Sequence, residues 1–171
     1  MLPRIEAAEG EMHYRREHFV VDGALRDLWI ADTDVDDWQR VVSSLSTTGW
    51  SVDIALSAPE GERKVLGSIP ELFDRLAVDG EMSVRLSVRV DDLWLTCYFF
   101  DDEEIEFTFD PRDVTDETSF ASLERFMVWL GDTSGRRVVM TMETSTDHRG
   151  LPALLEYVPD SGLRGQGQEG R

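Results

Sequence analysis

The chain has 171 residues, 41% of them hydrophobic, with 35 acidic against 17 basic side chains and a formal net charge of −18. That length suits one domain able to bury a core without disulfides or a metal, and the apolar content argues against global disorder. The charge argues against direct contact with phosphate backbones or anionic lipid and favours encounter with a basic protein. A single cysteine, Cys97, leaves no intramolecular disulfide to form. The first residues lack the apolar run of a signal peptide, and no stretch approaches the roughly 18 apolar residues of a membrane span, so a cytoplasmic protein is expected.

Residues 1–17 are polar and mixed in charge and are expected to be a loose lead-in to one α+β domain over 18–159. His18–Val21 reads as a short extended segment, followed by a turn at Asp22-Gly23 and a strand ending in Leu28-Trp29-Ile30. A helix over about 34–48 follows. Thr33 or Asp34 caps it, and Trp38, Val41, Val42 and Leu45 recur at i, i+3, i+4 and i+7. Trp50–Leu56 alternates as a strand, and 57–67 reads as a polar loop. Ser68 caps a short helix with Pro70 near its start. Three strands then come in quick succession, over 83–90, 93–100 and 104–109. A second long helix over about 117–130 buries Phe120, Leu123, Phe126, Met127 and Leu130, and Gly131 or Gly135 stops it. Strands are expected at 137–142 and 154–158. The Gly- and Arg-rich tail over 160–171 is expected to be flexible. Tight hairpins dominate the middle, which predicts a largely antiparallel sheet with the two main helices on one face.

The register of the central meander can be read from the residues. A two-residue turn at Asp91-Asp92 pairs Val90 with Leu93, Val88 with Leu95, Leu86 with Cys97 and Val84 with Phe99. A turn around Asp101–Glu103 pairs Phe99 with Ile105, Cys97 with Phe107 and Leu95 with Phe109. One face is then wholly apolar and becomes the core side. The other carries two rows of base, aromatic and acid: Arg89, Trp94, Asp110 and Arg85, Tyr98, Glu106. Such rows are ordinary sheet stabilisers on a solvated face, worth up to about 1 kcal/mol per pair. Trp, Tyr and Arg are also the residue types that dominate binding hot spots, and Phe100 adds a further aromatic.

Residues 91–117 hold eleven acids and one base, so this window carries −10 of the −18. Its densest point is Asp101-Asp102-Glu103-Glu104, at a hairpin end. A charge run is often only a solvated loop. One this dense also repels itself unless a basic partner or a cation offsets it. The candidate partner-binding residues are therefore Asp101, Asp102, Glu103, Glu104, Glu106, Trp94, Tyr98, Arg85 and Arg89.

No catalytic residue, cofactor or metal ligand is expected. Asp32-Thr33-Asp34-Val35-Asp36 opens like a calcium loop, but Asp37 stands where the turn glycine belongs and Ser43 where the bidentate glutamate belongs. Helix capping accounts for those acids. Cys97 points into the expected core, where a thiol is packing. His13, His18 and His148 lack metal-ligand spacing. Phosphate-binding glycine loops and nucleophile motifs are absent from the sequence. A hydrolase or cation-binding domain built on surface carboxylates remains an alternative, as does a DNA mimic that occupies a nucleic-acid-binding protein.

Three segments carry a resemblance: Leu25–Ile30 leading into Asp36-Asp37-Trp38, Glu104–Pro111, and Phe126–Gly131 followed by Arg137-Val138-Val139. Together they resemble small acidic actinobacterial proteins of the immunity type found in polymorphic toxin systems. Of the 17 basic residues only Lys64 is lysine, an arginine bias that suits a GC-rich genome. The resemblance implies a stoichiometric inhibitor that occludes a cognate, basic toxin.

Overall fold

In the computed structural model, which describes residues 13–64, 68–144 and 147–166, the elements run β1 (Arg26–Ala31), α1 (Val35–Ser44), β2 (Ser51–Ala58), β3 (Gly61–Lys64), α2 (Ile69–Val78), β4 (Ser83–Val90), β5 (Leu93–Tyr98), β6 (Glu104–Phe109), α3 (Glu117–Ser134), β7 (Val138–Met142), β8 (Leu155–Val158) and β9 (Gly162–Gly165). The strands form one antiparallel sheet in the order β3-β2-β4-β5-β6-β1-β7-β8-β9. The chain is α+β, as its hairpins predict.

The meander has the expected register. Val90 opposes Leu93, Val88 opposes Leu95 and Leu86 opposes Cys97. Val84 accepts a hydrogen bond from the Phe99 N–H at 3.1 Å. Thr96 opposes Thr108, which fixes the second hairpin in the same frame. All eleven residues of the apolar face, from Val84 to Phe109, are buried. The three helices lie on this side, which we call the front. Trp38 of α1 packs on Phe99 with ring centroids 4.6 Å apart, Phe73 of α2 stacks on the same ring at 5.6 Å, and Phe126 of α3 meets Phe107 edge-on at 4.9 Å.

Local chemistry starts each helix. Asp34 accepts from the Asp37 N–H at 2.9 Å while the Asp37 carboxylate takes the Asp34 N–H. Asp116 and Ser119 do the same for α3, and Ser68 caps α2. Asp37 is buried and also holds Arg136 at 2.7 Å, which ties the start of α1 to the end of α3. Helix α3 runs to Ser134, and of the two expected stops it is Gly135, with a φ of 68°, that forms the left-handed cap. Gly131 lies inside the helix for a different reason. A β-carbon there would sit 2.4 Å from Cδ1 of Tyr157, so its missing side chain admits β8.

Four expectations are corrected. His18–Val21 is not extended: Arg16–Phe19 form a 3-10 turn whose buried Phe19 packs against Phe109 and Phe120. Residues 57–67 are not simply a loop, because β2 runs to Ala58 and turns into β3; 65–67 lie outside the described residues. The tail from 160 is not all loose, since Gly162–Gly165 pair with β8 as an edge strand. An edge strand of glycines, Leu163 and Arg164 is held by backbone bonds, which hydropathy does not register. In the lead-in, Tyr14 stacks on Phe19 at 5.7 Å and its N–H meets the Glu117 carboxylate at 3.1 Å. Residues 1–12 and 167–171 lie outside the described residues. No helix among the described residues is long and apolar enough to cross a membrane.

The strand with no meander partner, β1, takes the place between β6 and β7. Its first five residues are all buried, so it is covered on both faces. Leu28 and Ile30 go to the front with the helices. Asp27 and Trp29 go to the back, and something other than a helix covers them there.

Candidate functional site

The back of the sheet divides into an open half and a covered half. The open half lies on β4 and β5, where alternation sends Arg85, Arg89, Trp94 and Tyr98 away from the core. Trp94 is 53% exposed, Tyr98 43% and Phe100 79%. The Arg89 guanidinium lies over the Trp94 ring at 5.2 Å, and it is steered there by bonds to the Asp91 carbonyl at 2.8 Å and the Asp92 carboxylate at 3.1 Å. Tyr98 and Phe100 stack at 5.6 Å. Trp94 and Tyr98 stand on β5 and Phe100 just past its end, so the three rings form a row on the open face. At its Phe100 end stands the β5–β6 turn with Asp101, Asp102 and Glu103. That turn is anchored: Thr33 donates its N–H to the Glu103 carbonyl at 3.0 Å and its hydroxyl to the Asp102 carbonyl at 2.6 Å.

The expected rows are right in register but not in chemistry at their acid ends. Asp110 turns to Arg112 at 2.6 Å rather than to Trp94, and Arg112 holds its carboxyl below the usual range. Glu106 is engaged by the His148 ring at 3.1 Å and the Thr108 hydroxyl at 3.4 Å. Much of the acid between 91 and 117 is likewise occupied locally. Asp91 bonds Ser122 at 2.6 Å and pairs with Arg125, Asp113 accepts from the Trp94 N–H at 3.4 Å, and Asp116 and Glu117 serve the start of α3. Asp101, Asp102 and Glu103 make no ion pair among the described residues. They are what remains of the acidic patch as a surface.

The covered half holds a cluster that spacing along the chain hides. The segment after β7 folds back over β6 and β1, and a 3-10 turn at His148–Gly150, capped by Asp147, lowers His148 onto the sheet. His148 is 3% exposed and its ring stacks on Trp29 at 5.3 Å. Its Nδ1 lies 3.0 Å from Oε1 of Glu104. Its Nε2 lies 3.0 Å from Oδ2 of Asp27 and 3.1 Å from Oε2 of Glu106. Asp27 is 1% exposed and is itself held by the Thr108 hydroxyl at 3.0 Å and the Thr144 N–H at 3.1 Å. Burial, with the neighbouring Asp27 charge second, pushes Glu106 up to about 7, and burial also raises Glu104.

This cluster corrects two expectations. Glu104 and Glu106 do not project as free partner-binding acids; they are half-buried against an imidazole. His148 does belong to a constellation of ligand-type atoms, because Asp27, Glu106 and His148 each place one within 4.8 Å of the others. Asp27 was missed as a site residue. Its one sequence signal is a lone acid inside an apolar strand, Asp27 before Leu28-Trp29-Ile30. Cys97 is buried as expected, and burial lifts its thiol far above the ordinary value, so it is packing.

No family model, curated protein or solved structure matches the chain.

Proposed function

We propose that the protein is a non-catalytic binding module that receives a basic partner protein on the open half of its sheet. The observation that carries this reading is the exposed strip Trp94–Tyr98–Phe100, ending at the anchored acids Asp101, Asp102 and Glu103. Exposed aromatics on a rigid sheet lose little entropy on binding and supply the apolar contact of a hot spot. The acids at the end of the strip, within a chain of net charge −18, draw in a basic surface and set its orientation. Arg89, already stacked on Trp94, offers donors for a carboxylate on the partner's rim. An immunity-type inhibitor of a cognate toxin is the form of such a module that the sequence resemblance favours.

The test is kinetic. With a basic partner in hand, neutralising Asp101, Asp102 and Glu103 together lowers the on-rate and flattens its salt dependence. Trp94→Ala raises the off-rate by about 30-fold, the equivalent of about 2 kcal/mol for a central aromatic. Unchanged rates in both variants sink the proposal. Competition by duplex DNA for the same partner points instead to a DNA mimic.

A further inference from the structure

We propose that Asp27, Glu106 and His148 form a binding site for a divalent first-row transition ion of the zinc class, independent of the partner-binding face. The geometry begins with the imidazole. Glu104 stands 3.0 Å from Nδ1, placed to accept its proton. In the neutral ring that bond selects the Nδ1–H tautomer and leaves Nε2 as a lone pair. The lone pair faces Asp27 Oδ2 at 3.0 Å and Glu106 Oε2 at 3.1 Å. Three acceptor atoms thus converge on one point, which requires a proton or a metal between them. A carboxylate on the far nitrogen of a metal-binding imidazole is the usual arrangement, because it orients the ring and strengthens the ligand. Ligand atoms around a tetrahedral ion with bonds of about 2.0–2.1 Å stand about 3.3 Å apart, so the two contacts of Nε2 need to lengthen by only a few tenths of an ångström, and all three atoms lie within 4.8 Å of one another.

Hydrogen bonding favours the metal over the proton, and three carboxylates around one imidazole in a half-buried place leave negative charge that a divalent ion neutralises further than protonation of the ring alone. Independently, Thr141 lies directly across from Asp27 on the neighbouring strand, with its side chain on the same face. It is fully buried, and its hydroxyl has no hydrogen-bond partner among the described residues. A buried hydroxyl beside the cluster without a partner is a cost that a metal-bound water removes. The donor set of one nitrogen and two carboxylate oxygens suits zinc or manganese better than calcium, which wants six or more oxygens. The 27% exposure of Glu106 gives the entry side and leaves a coordination position toward solvent. Such an ion clamps the His148 turn to β1 and β6.

The test uses the full chain stripped with chelator and titrated with zinc chloride by calorimetry, with manganese, magnesium and calcium chlorides as comparisons. The expected result is one equivalent of zinc bound with a dissociation constant of about micromolar or below, and magnesium and calcium weaker by about 100-fold or more. Glu106→Gln loses most of that affinity. Glu104→Gln, which touches no metal, weakens it by about 10- to 100-fold. His13→Gln leaves it unchanged. Absence of zinc binding at about 100 µM, or equal binding by wild type and Glu106→Gln, overturns the proposal. Should the Glu variants fail to fold, cobalt chloride added to the wild type decides. Strong visible absorption, displaced by one equivalent of zinc, supports a four- or five-coordinate site, and the weak absorption of hydrated cobalt contradicts it.

Discussion

The imidazole of His148 and the carboxylate of Asp27, 121 residues apart in the chain, meet at 3.0 Å on the side of the sheet opposite α1, α2 and α3. Both are almost fully buried. Removing the ring takes away its stacking on Trp29 and its contact with Glu104 and leaves a cavity between the loop and the sheet. His148→Ala is therefore expected to cost about 3 kcal/mol, in the range for truncating a large buried side chain. Urea unfolding followed by fluorescence measures this, and a loss below about 1 kcal/mol would show that the contact holds nothing.

Glu106 gives the same cluster a pH signature. Its folded value of about 7 lies above the ordinary 4.5, because burial and Asp27 disfavour the charged form. The folded state therefore holds a proton at Glu106 that the unfolded state has released between those values. The stabilisation from this group is complete below about pH 4.5 and is lost as pH rises through 7. His18, lowered by burial, acts in the opposite sense. Only the difference from Glu106→Gln isolates the effect. In metal-free buffer, that variant should gain stability relative to wild type as pH rises from 4.5 to 8. A constant difference across the range would contradict the assignment.

Gly131 is a packing requirement rather than a helix stop. An added β-carbon lies 2.4 Å and 2.7 Å from two ring carbons of Tyr157, whose hydroxyl is tied to Asp132 and cannot swing freely. Gly131→Ala should cost about 2 kcal/mol through overpacking, despite alanine's better helix propensity. Thermal unfolding reads this as a fall of about 4–8 °C for a chain of this size. A rise in Tm would mean that β8 yields without strain.

Most of the frame is visible in the sequence because the signals are local. Period-two alternation gives β4, β5 and β6 with their register, and Asp34, Ser68 and Asp116 mark the helix starts. The open aromatic face follows from the same alternation. What escapes is non-local or made of backbone. Nothing in residues 26–31 says that they will sit between β6 and β7. The Gly162–Gly165 strand has almost no side chains with which to announce itself. The His148 cluster needs both facts at once: β1 must reach the middle of the sheet, and the loop after β7 must fold over it. Local acid counting also misled at Glu104 and Glu106, since density along the chain does not tell which side of a strand a carboxylate takes.

The acids left on the surface should matter for binding and not for folding. Neutralising Asp101, Asp102 and Glu103 together should leave the urea midpoint where it is in wild type, because these side chains make no ion pair among the described residues. The turn itself hangs on the Thr33 N–H and hydroxyl, and Asp101→Asn keeps the Oδ1 that accepts the Glu103 N–H at 3.0 Å. A large loss of stability would move these acids from recognition to structure.

The proposal of a binding face is tested most directly by a differential pull-down from native lysate at low salt. The baits are wild type, Trp94→Ala with Tyr98→Ala, and the variant neutralised at Asp101, Asp102 and Glu103, with captured proteins quantified by mass spectrometry. The account predicts a basic protein that wild type retains, that both variants lose, and that elutes as salt is raised. An identical set of captured proteins on all three baits would contradict it.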